Sequence, residues 1–196
     1  MTDLPTQAIP GAYSPLNLQA RSVAWQFAAV VLGTVVLALS SYIEVPLVPV
    51  PVTMQTLAVT LIGALYGWRL GALTVVAWLV EGAAGLPVLS GGAAGAHHFV
   101  GPTAGYLFAF PIVAALTGWL AEAGWNGRRP LLAFVSLLLG NALCLLLGGA
   151  WLAVVIGLEQ AFVAGVLPFL LGGLLKSGLG ATLLYATRPE KARRAA

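Results

Sequence analysis

Charge is scarce in this chain. Of 196 residues, nine are Lys or Arg and six are Asp or Glu, together 8%, against about 25% in an average soluble domain. With 60% hydrophobic residues and a mean hydropathy of +0.96, the chain reads as an integral membrane protein. The short alternating segments of a transmembrane barrel are missing and the apolar runs are long, so the spans are predicted to be helices. Cysteine is almost absent: Cys144 alone excludes an intramolecular disulfide, leaves no Cys-based metal spacing, and reads as a small packing residue. No Walker motif is present, so ATP-driven work must come from other subunits. No nucleophile-elbow pattern is present either. The opening stretch, MTDLPTQAIPGAYSPLNLQ, lacks the basic and short apolar regions of a cleaved leader. Residues 1–21 are accordingly expected to form a short cytoplasmic segment.

The charges that are there set a topology. The net charge is +3, but its distribution argues against nucleic acid as a partner. Arg21, Arg69, Arg128, Arg129, Arg188, Lys191, Arg193 and Arg194 all fall on one side of the expected spans. The loops around Glu44, His97, His98 and Glu159 carry no Lys or Arg. By the positive-inside rule both termini are cytoplasmic and the number of spans is even. Residues 188–196 form a basic cytoplasmic tail on this reading.

Six spans are expected within residues 22–187 of a single membrane domain. The first, Ser22 to Ile43, is long enough to cross about 30 Å of hydrocarbon. It carries small residues four apart, Ala24 with Ala28 and Ala29 with Gly33, which permit close helix approach within the bundle or by a partner. Pro46, Pro49 and Pro51 make Val45 to Val52 an extended external loop. Thr53 then caps a short span to Gly67, with Gln55 in its first turn, and a third span, Leu70 to Leu86, carries Glu81. Glu81 either faces a site or marks the water interface. The stretch from Gly85 to Tyr106 reads as a glycine-rich loop suited to a lid, followed by a fourth span from Pro102 with Thr103 and Tyr106 near its outer end. His97 and His98 are adjacent and would diverge on a regular element, so a metal site is not expected. The fifth span, Leu131 to Leu152, holds Asn141, whose amide needs a partner helix or a ligand. The sixth is interrupted by Pro168, Gly172 and Gly173 just before Lys176.

Lys176 is the residue that most requires an explanation. An ammonium within a bilayer-spanning helix costs roughly 2.5 to 3.5 kcal/mol on insertion scales, so it should face protein, water or an anion. With Gln55, Glu81, Thr103, Tyr106 and Asn141 it outlines an outward-facing pocket with one cation and several neutral hydrogen-bonding groups. Aromatic walls are expected from Trp78, Tyr106, Trp151 or Phe169. Such a pocket suits a small amphipathic carboxylate.

Four stretches carry a resemblance: VPVPVTMQTLAV at 48–59, GLPVLSGG at 85–92, GPTAGYLFAF at 101–110 and PFLLGGLLK at 168–176. In order, and across nearly the whole chain, they resemble the BioY family, the biotin-binding S components of energy-coupling factor transporters. The resemblance implies an all-α, six-helix bundle that is not an enzyme, has no cofactor and binds biotin from outside under the first-to-second-helix loop and the loop before the fourth. It implies a prokaryotic plasma-membrane location and a transmembrane coupling subunit with two ATPases, on which the bundle topples. Lys176 matches the family's lysine, and Ala24, Ala28 and Gly33 match its docking face. Gln55, Glu81, Ser90, Thr103, Tyr106 and Asn141 are the further ligand-site candidates. The family pattern has an aspartate three residues before the lysine, where this chain has Gly173, leaving Glu81 or Glu159 to supply a carboxylate. The alternatives are an S component for another small carboxylate vitamin and an intramembrane hydrolase using Ser90 and His97.

Overall fold

A computed structural model describes residue 16 and residues 18–187. Most of the first segment and the basic tail at 188–196 lie outside the described residues. The fold is helical: α1 (Val23–Tyr42), α2 (Gln55–Tyr66), α3 (Trp68–Ala83), α4 (Ala104–Glu122), α5 (Pro130–Ile156), α6 (Leu158–Gly165) and α7 (Leu167–Ala186). Among the described residues, four stretches are long and apolar enough to cross a membrane: α1, α4, α5, and α6 with α7 taken together. At 12 and 16 residues, α2 and α3 are shorter.

Helix α4 lies at the centre, packed against α2, α3 and α5, while α1 leans on α3 and α7 on α5 and α2. Its inward residues, Phe110, Val113 and Ala114, are buried. The outward face of α1, with Trp25, Phe27, Leu32 and Leu39, is exposed as lipid contact demands. Small residues bring backbones together: a Cβ at Gly63 of α2 would stand 2.3 Å from the Ala114 carbonyl oxygen of α4. In a bilayer, where lipid removes the hydrophobic gain between helices, such contacts are a main source of packing energy. The α2–α3 turn is a single residue, Gly67 at φ +82°, and the Glu122 carboxylate accepts from Trp68 N at 3.2 Å at the start of α3.

Two sequence expectations change in detail. The loop after α1 is not merely extended: β1 (Glu44–Val45) and β2 (Val52–Thr53) pair antiparallel, with Glu44 opposite Thr53. Thr53 therefore belongs to β2, and α2 begins at Gln55 with Met54 as its N-cap. The last span is broken at Val166 into α6 and α7, because Pro168 has no N–H to continue the ladder.

Candidate ligand-binding site

A cavity of about 400 Å³ opens between the β1–β2 hairpin, the loop at 84–103, the first turns of α2 and α4 and the middle of α5 and α7. That size lies within the usual range for small-molecule sites, roughly 300 to 1,000 Å³. Tyr106, Leu107, Phe110, Cys144, Leu145 and Phe169 supply an apolar wall. Tyr106 and Phe169 stack with ring centroids 6.2 Å apart. The polar lining is Glu44, Thr53, Gln55, Thr56, Ser90, His97, His98, Thr103 and Lys176.

Lys176 is 9% exposed and sits at the floor. Its Nζ donates to Thr53 O at 2.8 Å and to Thr56 Oγ1 at 2.9 Å. An ammonium has three donors, so one remains for a ligand. No ion pair to Lys176 forms among the described residues. A buried cation held by two neutral acceptors is under-compensated, and an incoming anion or strong acceptor relieves it. Thr53 is the hub of this floor, because its hydroxyl also meets Gln55 Oε1 at 2.9 Å.

The roof is built from contacts between segments far apart in sequence. Ser90 donates to Glu44 Oε2, joining the loop to β1. Beside it, Gly91 holds φ +61°, and a Cβ there would lie 2.7 Å from Glu44 Oε1, so the carboxylate and a side chain at 91 exclude each other. Tyr42 OH donates to Pro87 O at 2.6 Å and Trp78 Nε1 to Val88 O at 3.0 Å, fixing the same loop to α1 and α3. His98 lies in this loop outside the spans; burial first, and then the charge of neighbouring His97, holds its imidazole below the ordinary value.

The structure brings together Lys176, Gln55, Tyr106, Thr103 and Ser90 and leaves two candidates outside. Glu81 is half-buried near the end of α3 and does not line the cavity, since the inward face there belongs to Trp78 and Gly82. Asn141 is buried one layer behind, donating to Leu137 O at 3.0 Å and Ser177 Oγ at 3.2 Å. Its Cβ is 3.6 Å from where a side chain at Gly173 would begin. Neither Glu81 nor the exposed Glu159 stands beside Lys176; the carboxylate lining this cavity is Glu44. Of the expected aromatic walls, Trp78 is fully buried and Trp151 donates to Gly101 O at 3.0 Å, while Phe110 takes their place. The docking candidates also divide. Ala24 and Ala28 are exposed, whereas Gly33 is buried, its Cβ position 2.5 Å from Thr74 Cγ2.

Sequence reasoning left out Glu44, Thr56 and Phe110. The one available signal was that Thr56 follows Gln55 in the first turn of a short span.

Comparison with known proteins bears on the whole chain. Biotin transporter BioY of Rhizobium etli is 42% identical over 114 residues, 58% of this chain and 59% of that protein. Biotin transporter BioY of Thermotoga maritima is 42% identical over 89 residues, 45% of this chain and 53% of that protein. The chain thus matches between half and three fifths of the length of these curated relatives. A crystal structure of the S-component for biotin from an ECF-type ABC transporter superposes with a TM-score of 0.74 at 25% identity, covering 85% of this chain and 94% of that one. The profile of the BioY family matches residues 13–193, nearly the full length, and on that ground the chain belongs to the BioY family.

Proposed function

We propose that this protein is the substrate-binding membrane subunit of a biotin uptake system, with no enzymatic activity of its own. The observation that carries the reading is the buried Lys176 ammonium with one unused donor at the floor of a largely apolar cavity. Biotin offers what such a site lacks: an apolar bicycle for Tyr106, Phe110 and Phe169, and acceptor oxygens on its carboxylate and ureido group. Lys176 takes the valerate carboxylate, and Gln55, Thr103, Tyr106 and Ser90 surround the rest. Family membership and the biotin named for its relatives support this choice over another small carboxylate vitamin. The hydrolase alternative loses its chemistry, because the Ser90 hydroxyl is directed to Glu44 and the His97 ring packs on His98 at a centroid distance of 4.1 Å.

The membrane arrangement belongs to the same proposal. α1 to α5, with α6 and α7 as one broken span, make six crossings; both termini are cytoplasmic and the cavity faces outward across a prokaryotic plasma membrane. The exposed small residues Ala24 and Ala28 of α1 receive the transmembrane coupling subunit, which two ATPases drive. Gly33 contributes by setting the distance of α1 from α3.

Replacing Lys176 tests the site. Lys176→Ala should weaken biotin binding by about 1 to 3 kcal/mol, the usual loss for a hydrogen-bonded charged partner. Titration calorimetry on the purified variant measures it, and an affinity equal to that of the unaltered chain would remove Lys176 from the site.

A further inference from the structure

Two side chains at the cavity floor are short of partners, and what each has to spare is a donor. Gln55 is 4% exposed, and its Nε2 is buried with no hydrogen-bond partner. Thr53 meets the amide on its oxygen side. Its hydroxyl accepts from the Gln55 backbone N–H at 3.3 Å and gives its own hydrogen to Gln55 Oε1 at 2.9 Å. The amide oxygen is thereby taken and the nitrogen left over. Lys176 likewise spends two of its three donors, on Thr53 O and Thr56 Oγ1. Gln55 and Lys176 are both anchored on Thr53, and both residues line the same cavity. The carboxylate that lines the same cavity, Glu44, is engaged by Ser90.

We infer that Gln55 is a specificity-determining residue: with Lys176 it forms a donor-only floor that selects a ligand end presenting an acceptor oxygen without a hydrogen. The inference rests on the biotin reading above and deepens it. Biotin has two groups of this kind, the valerate carboxylate and the ureido carbonyl oxygen. A group that arrives with a hydrogen and no free lone pair, such as an amide nitrogen, would set donor against donor.

The test exchanges donor for acceptor at nearly constant shape. Gln55→Glu and the unaltered chain are titrated in detergent with biotin, with biotinamide, whose carboxylate has become a primary amide, and with 2-iminobiotin, whose ureido oxygen has become a nitrogen. The variant should bind biotin roughly 10-fold or more weakly, and its preference for biotin over one analogue should shrink or reverse. A relative gain for biotinamide keeps the carboxylate at the floor, where Lys176 takes it on the reading above; a relative gain for 2-iminobiotin keeps the role of Gln55 and puts the ureido oxygen there in the carboxylate's place. Equal biotin affinity in both proteins, or a loss shared in proportion by all three ligands, overturns the role of Gln55. Should the charge introduced at 55 prevent folding, Gln55→Met removes the donor without it. That variant should also bind biotin more weakly, and unchanged binding overturns the inference. No biotin binding by the unaltered chain would remove the biotin reading itself and this one with it, whereas binding indifferent to Gln55 removes this one alone.

Discussion

Tyr106 is held at the cavity edge by glycines on two other helices, which makes Gly148→Ala an informative perturbation. A Cβ at Gly148 of α5 would stand 2.1, 2.3 and 2.4 Å from Tyr106 Cδ1, Cε1 and Cγ. Three ring atoms are struck at once, so no small tilt of the ring relieves the overlap. Retreat is blocked on the other side. The Tyr106 hydroxyl donates to Gly165 O at 2.7 Å, and Phe169 stacks beside the ring. Either α4 and α5 separate or the ring swings into the cavity. Overpacking of this kind costs about 1 to 3 kcal/mol. If the ring moves, most of that cost appears in ligand binding, which at 1.4 kcal/mol per decade is a loss of roughly 5- to 150-fold. Gly178→Ala is the control, because nothing lies within 4 Å of its Cβ position and alanine is the better helix former. Biotin titration and thermal unfolding of both variants in the same detergent provide the readout. If Gly148→Ala behaves like Gly178→Ala in affinity and in melting temperature, the packing argument for Tyr106 is wrong.

Two further outcomes follow from the roof. Ser90→Ala removes the hydroxyl that ties the loop to Glu44; at about 1.5 kcal/mol, the low end for a bond to a charged group, biotin release should quicken roughly 10-fold. Stopped-flow displacement of labelled biotin measures this, and an unchanged release rate would show that the contact does not hold the site shut. His98 has its folded value depressed, so the unfolded or opened loop binds a proton more readily than the closed one. Its contribution is present above the ordinary imidazole value and is lost as pH falls through and below it. The protection of the amides of residues 96–99, taken relative to the intrinsic exchange rate that itself slows toward acid, should fall in excess as pH drops from about 7 to about 5, with the unperturbed imidazole at about 6.5. His98→Asn should abolish the excess; its persistence there would assign the effect to another group.

How far the fold could be read in advance follows from what lipid demands. The runs that became α1, α5 and the last span are apolar because they touch hydrocarbon, and their lengths follow from its thickness. The proline-rich loop was legible as extended, but strands of two residues are too short to leave a periodic trace, so the pairing of Glu44 with Thr53 was not. That pairing hid the site's most telling contacts. In sequence Glu44 is only an acid in a loop without Lys or Arg, until Ser90, 46 residues away, is seen to bind it. Glu81 and Asn141 were suspected because polar residues in spans are costly, a rule that identifies the need for a partner and not which partner. Asn141 met its need with Ser177. The division of Ala24 and Ala28 from Gly33 was computable: at 100° per residue, positions 24 and 28 lie about 40° apart, and 33 falls about 140° from 28, on another face.

On the reading proposed above, this chain alone holds a biotin site built around Lys176. Its most direct test is calorimetric titration of the purified, isolated chain with biotin in detergent or lipid nanodiscs. Saturable binding at a single site is expected, complete by micromolar biotin, with the affinity reduced in Lys176→Ala. No detectable binding at micromolar biotin would contradict it.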